Sequence, residues 1–553
     1  MTLGEPRYRW QGVDYLGFLE TKLRDLRGID TLVYELIQNA DDVKDDEGQP
    51  GASLISFDAR EDALIVKNDG VFREVDFERM QNVASGGKRE EMGTTGTFGI
   101  GFIAVYQITD YPELFSSGLH WTIRPEQDDS QRIEERDAEM QGTLFRLPWA
   151  FDPDSAVRRK LRIEAVQPAQ LSDFELEMGQ ALSLAALFLK QLKVLELKRE
   201  GKLVKRIERE VMADGRILIK DGDQTAVWHI FRGSFHSEAE RLQRSFRQIE
   251  AKKRGDVLVA IPDEGLEMGR LFAVLPSRTT IPLPFHVNAD FFPSSDRTRI
   301  IFGTDYQSEW NRAAVRAAAQ ALAGGLDKLP QLLGHEGLWR LLRSLAECDQ
   351  EVTQGKHDPV FAAFWEEVAP GLSTQPIVFT TTDRWVTPGE ARLLESNAEQ
   401  EAASVLEGLA IQIVHPELRP FRNLLLQKEI GTLRLNVQDV AQGLKRVGLN
   451  KRTPLDRAPS RLRTVEAWRK LWRALYALLA RLTLNERELA NGMLGASVIA
   501  LGDDGALWPP TQLFRGDAET RALFKGVPWL EEHVESDGVP GRLVPAFTAE
   551  RAI

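Results

Sequence analysis

The segment Leu32 to Asp42 reads LVYELIQNADD and carries three groups able to do chemistry together: the carboxylate of Glu35, the carboxamide of Asn39 and the carboxylate of Asp42. On a helix advancing about 100° per residue, the three fall within roughly a 60° sector, with Val33, Leu36, Ile37 and Ala40 opposite. A carboxylate and a carboxamide so aligned suit a metal ion and a water awaiting activation. An ordinary solvated helix face has the same pattern, and the helix alone does not separate the two.

Three further elements lie downstream. The loop SGGKREEMGTTGTFGIGF (85–102) places Gly96, Gly99 and Gly101 where a chain passes into a helix start. Glycine allows close backbone approach, and a helix start offers unpaired N–H groups to phosphate. A tight turn packing a helix on a sheet would use the same glycines. Asn68-Asp69-Gly70 ends a strand and offers acceptors at a turn, a place these residue types also favour for backbone reasons. Gly142-Thr143 opens another strand. The chain has no GxxxxGK[ST] and no strand-GxGxxG arrangement, which excludes a P-loop and a dinucleotide fingerprint.

The elements that must hold these groups are legible in the periodicity. Residues 14–43 read as helix with Asp30 as a cap, 53–58 and 62–69 as strands, 75–83 as helix, and IAVYQIT as a helix after the glycine loop. Strands TIRP and GTLFRLPW flank a polar insertion, 126–141, expected as surface loop. A helical stretch, 154–193, leads into the strand LKVLELKRE. Residues 203–235 alternate like antiparallel strands, a charged helix covers 236–252, and DVLVAIP, GRLFAVLP and PLPFHVNADFF return to strand character. Beyond 325 amphipathic helices dominate. Two similar strand–turn–tryptophan modules lie near 376–394 and 497–514, turning at Asp383 and Asp504.

Composition narrows the class. The chain has 553 residues, 42% hydrophobic and 28% charged, which suits a globular protein of several domains. A net charge of −13 argues against a chain coated by nucleic acid. Cys348 is the only cysteine, so there is no disulfide framework or thiolate metal site. No signal peptide or membrane span is visible, and a cytoplasmic location is expected with no membrane partner. The histidines are scattered without ligand-like spacing. Between Lys445 and Arg481, eleven basic residues face only Asp456 and Glu466, with Trp468 and Trp472 one turn apart. That stretch leaves a nucleic-acid surface open beside the plainer reading of a solvated linker and a core helix.

In this order, ELIQNADD, VKNDG, GTFGIGF and GT resemble the nucleotide-binding boxes of the GHKL superfamily, which includes gyrase, the ninety-kilodalton heat-shock chaperone, histidine kinases and MutL. Within it the resemblance is to sacsin-like sequences, extended by Thr109-Asp110-Tyr111-Pro112 and by LPFHVNADFFPSSDR in the second region. The resemblance implies an α+β chain: a Bergerat-fold α/β sandwich over 1–200, a transducer-like α+β middle domain over 201–325, and a mostly helical region over 326–553. It implies ATP and Mg²⁺ as ligands. Asn39 would hold the metal, Glu35 would be the general base, and Asp42 would lie at the adenine or ribose side. Gly96, Gly99, Gly101 and Phe102 would cradle phosphates with Lys88 nearby. Asn68, Gly70 and Thr143 would serve the adenine, and Arg297, Arg299 or Lys190 would supply a cation. Asn68 stands where the chaperones carry aspartate, and Phe72 where they carry a second glycine, so purine selection is the weakest part of the match. The implied function is slow ATP hydrolysis coupled to lid closure, a chaperone-like or regulatory switch. A non-hydrolysing scaffold and a nucleic-acid-acting ATPase are its rivals. Client, pathway and ATP-dependent dimerisation stay open; related domains occur in bacterial proteins linked to defence against phage.

Overall fold

A computed structural model describes residues 15–44, 47–49, 51–85, 101–128, 130–249, 253–294, 298–537 and 539–548. The chain is mixed α+β and divides into two compact units, 1–325 with 344–365, and 326–343 with 366–553.

The first unit is built on one mixed sheet. Its strands are β1 (Leu54–Ala59), β2 (Ala63–Asn68), β3 (Glu113–Ser116), β4 (Leu119–Ile123), β5 (Ile133–Asp137), β6 (Thr143–Pro148), β7 (Val194–Arg199), β8 (Lys202–Val211), β9 (Ile217–Asp221), β10 (Gln224–Ser234), β11 (Asp256–Pro262), β12 (Gly269–Ala273), β13 (Leu275–Ile281) and β14 (His286–Ala289). Their order is β13-β12-β14-β11-β10-β9-β8-β7-β1-β2-β6-β3-β4-β5. The expected 1–200 and 201–325 regions share this sheet. β1 pairs in parallel with β7, and β7 pairs antiparallel with β8, so hydrogen bonding continues across position 200.

Helices α1 (Tyr15–Leu23), α2 (Ile29–Asp41), α3 (Glu74–Ser85), α4 (Ala156–Leu161) and α5 (Leu171–Ala185) accompany the first strands. The apolar residues of α2 and α5 meet in one core with Ile55, Phe57, Leu195 and Leu197 of β1 and β7. Helix α6 (His236–Ser245) and α7 (Tyr306–Gly324) follow, and α7 packs on β10 and β11.

Three local expectations are corrected. The helix expected over 14–43 is two helices, parted before Gly28, whose φ of 107° is open to glycine and closed to most side chains. Gly28 is thus the N-cap, and Asp30 sits inside the first turn. The insertion 126–141 holds β5, which pairs with β4; Trp121 Nε1 donates to Glu135 Oε2 at 2.8 Å and fixes the hairpin. The stretch after the glycine loop is a 3-10 helix, Gly101–Gln107.

In the second unit, helix Val465–Ala480 buries Trp468 and Trp472 completely, their indole N–H groups donating to Leu462 O and Ile499 O at 2.7 Å each. These tryptophans are core. Several basic side chains of 445–481 are also engaged: Arg452 with Asp504, Arg461 with Glu407, and Arg481 with Glu395 and Glu399. Both tryptophan modules are two-strand hairpins, Val378–Phe379 with Trp385–Val386, and Ala500–Leu501 with Ala506–Trp508. Asp383 takes a φ of 56°, and Asp504 accepts the Ala506 N–H at 3.0 Å. Among the described residues, no helix is long and apolar enough to cross a membrane.

Candidate functional site

Helix α2 positions the first group of candidates, and none of them forms a wet face. Glu35 is 9% exposed and Asn39 is 6% exposed. Burying an amide without a partner costs free energy, so interiors normally pair such groups. Asn39 Nδ2 has no hydrogen-bond partner among the described residues. One helical turn away, the Glu35 carboxylate faces the backbone of Gly101. A Cβ at 101 would sit 1.7 Å from Glu35 Oε2, so the site exists only with glycine there. Phe102, the next residue, is buried against Phe145 with ring centroids 5.3 Å apart.

The 3-10 helix Gly101–Gln107 is held from behind by a buried ion pair. Arg158 on α4 meets Asp110 at 2.7 Å. Its other N–H groups donate to the carbonyls of Tyr106 at 2.7 Å, Thr109 at 2.9 Å and Gln107 at 3.1 Å. Ser155 Oγ donates to the second Asp110 oxygen at 2.6 Å. The guanidinium is therefore satisfied almost completely, which such a buried charge requires. The Thr109–Pro112 motif is thus an anchor for the helix that follows the glycine loop. Gln107 ties the same helix to α2, accepting from Gly28 N–H at 2.7 Å.

The Asn68–Thr143 cluster, where β2 ends and β6 begins, is closed on itself. Asn68 Oδ1 accepts the Gly70 N–H at 3.0 Å. Thr143 Oγ1 donates to Gly70 O at 2.9 Å and lies 2.9 Å from Ser116 Oγ, which accepts the Phe72 N–H at 3.0 Å. Gly142, at φ 78°, passes so close that a Cβ would lie 2.4 Å from Asn68 O. Asp69 points elsewhere: both of its oxygens serve Ser53 and Leu54. Burial opposes its charge, yet those hydrogen bonds hold its carboxyl below the usual range. Phe72 fills core space against Phe77 and Phe145.

Asp42 and Lys190 form an ion pair of 2.8 Å, while Asp42 Oδ2 is buried without a partner among the described residues. Burial raises that carboxyl's pKa and Lys190 opposes it. Arg299 donates its N–H to Ser294 Oγ at 3.1 Å in the second region. Lys88, Gly96, Gly99 and Arg297 lie outside the described residues.

Two positions that brace α2 escaped the sequence reading. Asp41 is 1% exposed, and its carboxylate accepts three backbone N–H groups, from Lys190, Gln191 and Leu192, at 2.8–2.9 Å. It clamps the end of α2 to the lead-in of β7. Its signal was present: on the helical wheel Asp41 falls about 40° from Ile37, on the apolar stripe. Arg278 on β13 reaches Asp30 at 2.9 Å and joins the second region to the first turn of α2. Nothing in its local sequence marks it.

The comparisons with known proteins point to one class at this end of the chain. Residues 14–137 match the family described as the Sacsin domain. Among particular proteins, sacsin of Homo sapiens is 30% identical over 184 residues, covering 25% of this chain. Protein NO VEIN of Arabidopsis thaliana is 24% identical over 307 residues, covering 51% of this chain. The chain is sacsin-like over this region, and it spans 4% of the length of sacsin and 10% of that of Protein NO VEIN. A crystal structure of the N-terminal domain of a DNA repair protein aligns over 56% of this chain and 98% of its own, at 9% identity and a TM-score of 0.32.

Proposed function

We propose that the chain binds Mg-ATP on the Glu35–Asn39 face of α2 and hydrolyses it slowly, as a conformational-switch ATPase of sacsin- and chaperone-like type. One observation carries the reading: a buried Asn39 amide whose nitrogen has no partner among the described residues, one turn from a carboxylate that faces a side-chain-free Gly101. Asn39 would hold Mg²⁺ through its amide oxygen, a hard ligand suited to that ion. Bound Mg²⁺ supplies charge neutralisation at the phosphates. Glu35 would accept the proton of the attacking water, Gly101 and the Phe102 amide would border the phosphates, and Arg297 is the proposed cation from the second region. Asn68 and Thr143 would meet the adenine. Because Asn68 Oδ1 is already shared with Gly70, purine selection at that end would be modest.

The Asp41 clamp and the Arg278–Asp30 pair give site occupancy a route into the shared sheet. Switching follows only where ATP prefers one arrangement over the other. Steady-state hydrolysis compared between the wild type and Glu35→Ala tests the proposal. The variant should keep ATP binding and lose turnover by at least about a hundredfold, the scale of general-base catalysis. Wild-type turnover no higher than the variant's would leave a binding scaffold; ATP binding by neither would remove the nucleotide reading altogether.

A further inference from the structure

The second unit carries a cluster that the nucleotide reading does not use. His335, His415 and Glu417 bring one ligand atom each within 4.8 Å of one another. His335 Nε2 hydrogen-bonds to Glu417 Oε2, and His415 Nδ1 lies 3.7 Å from the same oxygen. Two separate local structures converge there. Helix Leu329–Thr353 breaks at Gly334, whose φ is 65°, and His335 follows the break. His415 is the N-cap of the 3-10 helix Pro416–Phe421, with Glu417 in its first turn.

The rings are held rather than loose. The His335 imidazole stacks on Phe379 at 4.7 Å and 10°. The His415 ring lies 5.5 Å from Phe379, and the His415 N–H donates to Phe379 O at 2.9 Å. One phenylalanine of the first hairpin therefore sets both imidazoles, as supporting groups do at metal sites. The side chains of His335, His415 and Glu417 are 26%, 25% and 59% exposed, leaving a face open to water.

We propose that His335, His415 and Glu417 bind a borderline divalent transition ion, zinc foremost, with water completing the coordination. Two imidazoles and a carboxylate suit Zn²⁺, Co²⁺ or Ni²⁺ and disfavour Mg²⁺ and Ca²⁺, which prefer all-oxygen sets. Metal–ligand bonds of about 2.0–2.2 Å would draw the three atoms inward by roughly 1 Å. Exposed Glu417 can adjust by rotating its side chain, and the two partly exposed imidazoles would close on the ion by small tilts.

The site is independent of α2. Untagged protein stripped with a chelator is titrated with Zn²⁺ by calorimetry and with Co²⁺ by visible absorption. Wild type should bind one ion per chain, with a Co²⁺ spectrum altered by imidazole ligation. Glu417→Gln, an exposed change that leaves both rings, should weaken Zn²⁺ at least about tenfold, or 1.4 kcal/mol. His335→Ala should abolish the Co²⁺ signal, and millimolar Mg²⁺ should not compete. Equal Zn²⁺ affinity in wild type and Glu417→Gln, or a Co²⁺ spectrum unchanged from the free ion, would overturn the assignment. Glu35→Ala should bind Zn²⁺ as wild type does, so failure of the ATP reading leaves this one standing.

Discussion

The Glu35–Asn39 face of α2 and the Asn68–Thr143 cluster at the ends of β2 and β6 are both buried and polar, yet they spend their hydrogen bonds differently. At the Asn68 end the side chain, the Gly70 amide and carbonyl, Thr143 and Ser116 are joined to one another. At the Asn39 end an amide nitrogen near Glu35 has no partner among the described residues. A polar group that the fold consumes stabilises the fold. One that it leaves over costs free energy and is kept for something else. Under the proposed function, ligand-directed chemistry belongs at the Glu35–Asn39 end and architecture at the other.

The largest test attacks the support beneath the first end. Arg158→Ala would strand the buried Asp110 and three backbone carbonyls, and should cost about 3–5 kcal/mol in denaturant unfolding. A loss below about 1 kcal/mol would mean that the 3-10 helix is anchored by other groups. Next comes the contrast itself. Asn39→Ala should change stability by less than about 1 kcal/mol, since the amide nitrogen it removes has no partner among the described residues. Its Mg-ATP affinity should nevertheless fall about a hundredfold, or 2.7 kcal/mol. Asn68→Ala should reverse the pattern, costing about 1–2 kcal/mol of stability with at most about a tenfold loss of affinity. Calorimetric binding and urea unfolding of the two variants decide it; matching profiles would erase the distinction between the ends.

The smallest test concerns another buried group with a spare atom. His286 Nδ1 is unpartnered among the described residues, and the ring is enclosed by Trp228 and Phe272. Burial, aided by Arg270, lowers its pKa to about 4 from 6.5. The unfolded chain then takes up a proton that the folded one refuses. Stability from this group is complete above pH 6.5 and drains as the pH falls toward 4, by at most about 1.4 kcal/mol per pH unit. Melting of His286→Phe between pH 7 and 5 should show a shallower decline than wild type. An identical decline would mean that the spare nitrogen is not what the acid finds.

Much of the layout was legible because it follows period. The short apolar runs of β1, β2 and β11, the alternation of β8–β10 and the amphipathic spacing of α2 are local signals, and the structure has strands and a helix there. What escaped was set by distance. Arg158 reads as one more basic residue in RRKLR, and only the fold brings it to Asp110. β5 is a polar edge strand whose residues resemble a loop until Trp121 and Glu135 meet. His335 and His415 have no shared spacing to notice. The burial of Glu35 and Asn39 was hidden differently: a polar arc on a helical wheel looks the same whether water or protein faces it.

The shared sheet has a mechanical meaning. Strands drawn from 54–289 are laced edge to edge, with β7 and β8 joining the portions that periodicity separates. Such a plate has no hinge at position 200 to absorb a pull. Stretched between Leu54 and Ala289 in an optical trap, it should yield in one rupture rather than two. A push delivered by α2 through Asp41 would accordingly load the whole plate, as a lever loads a beam.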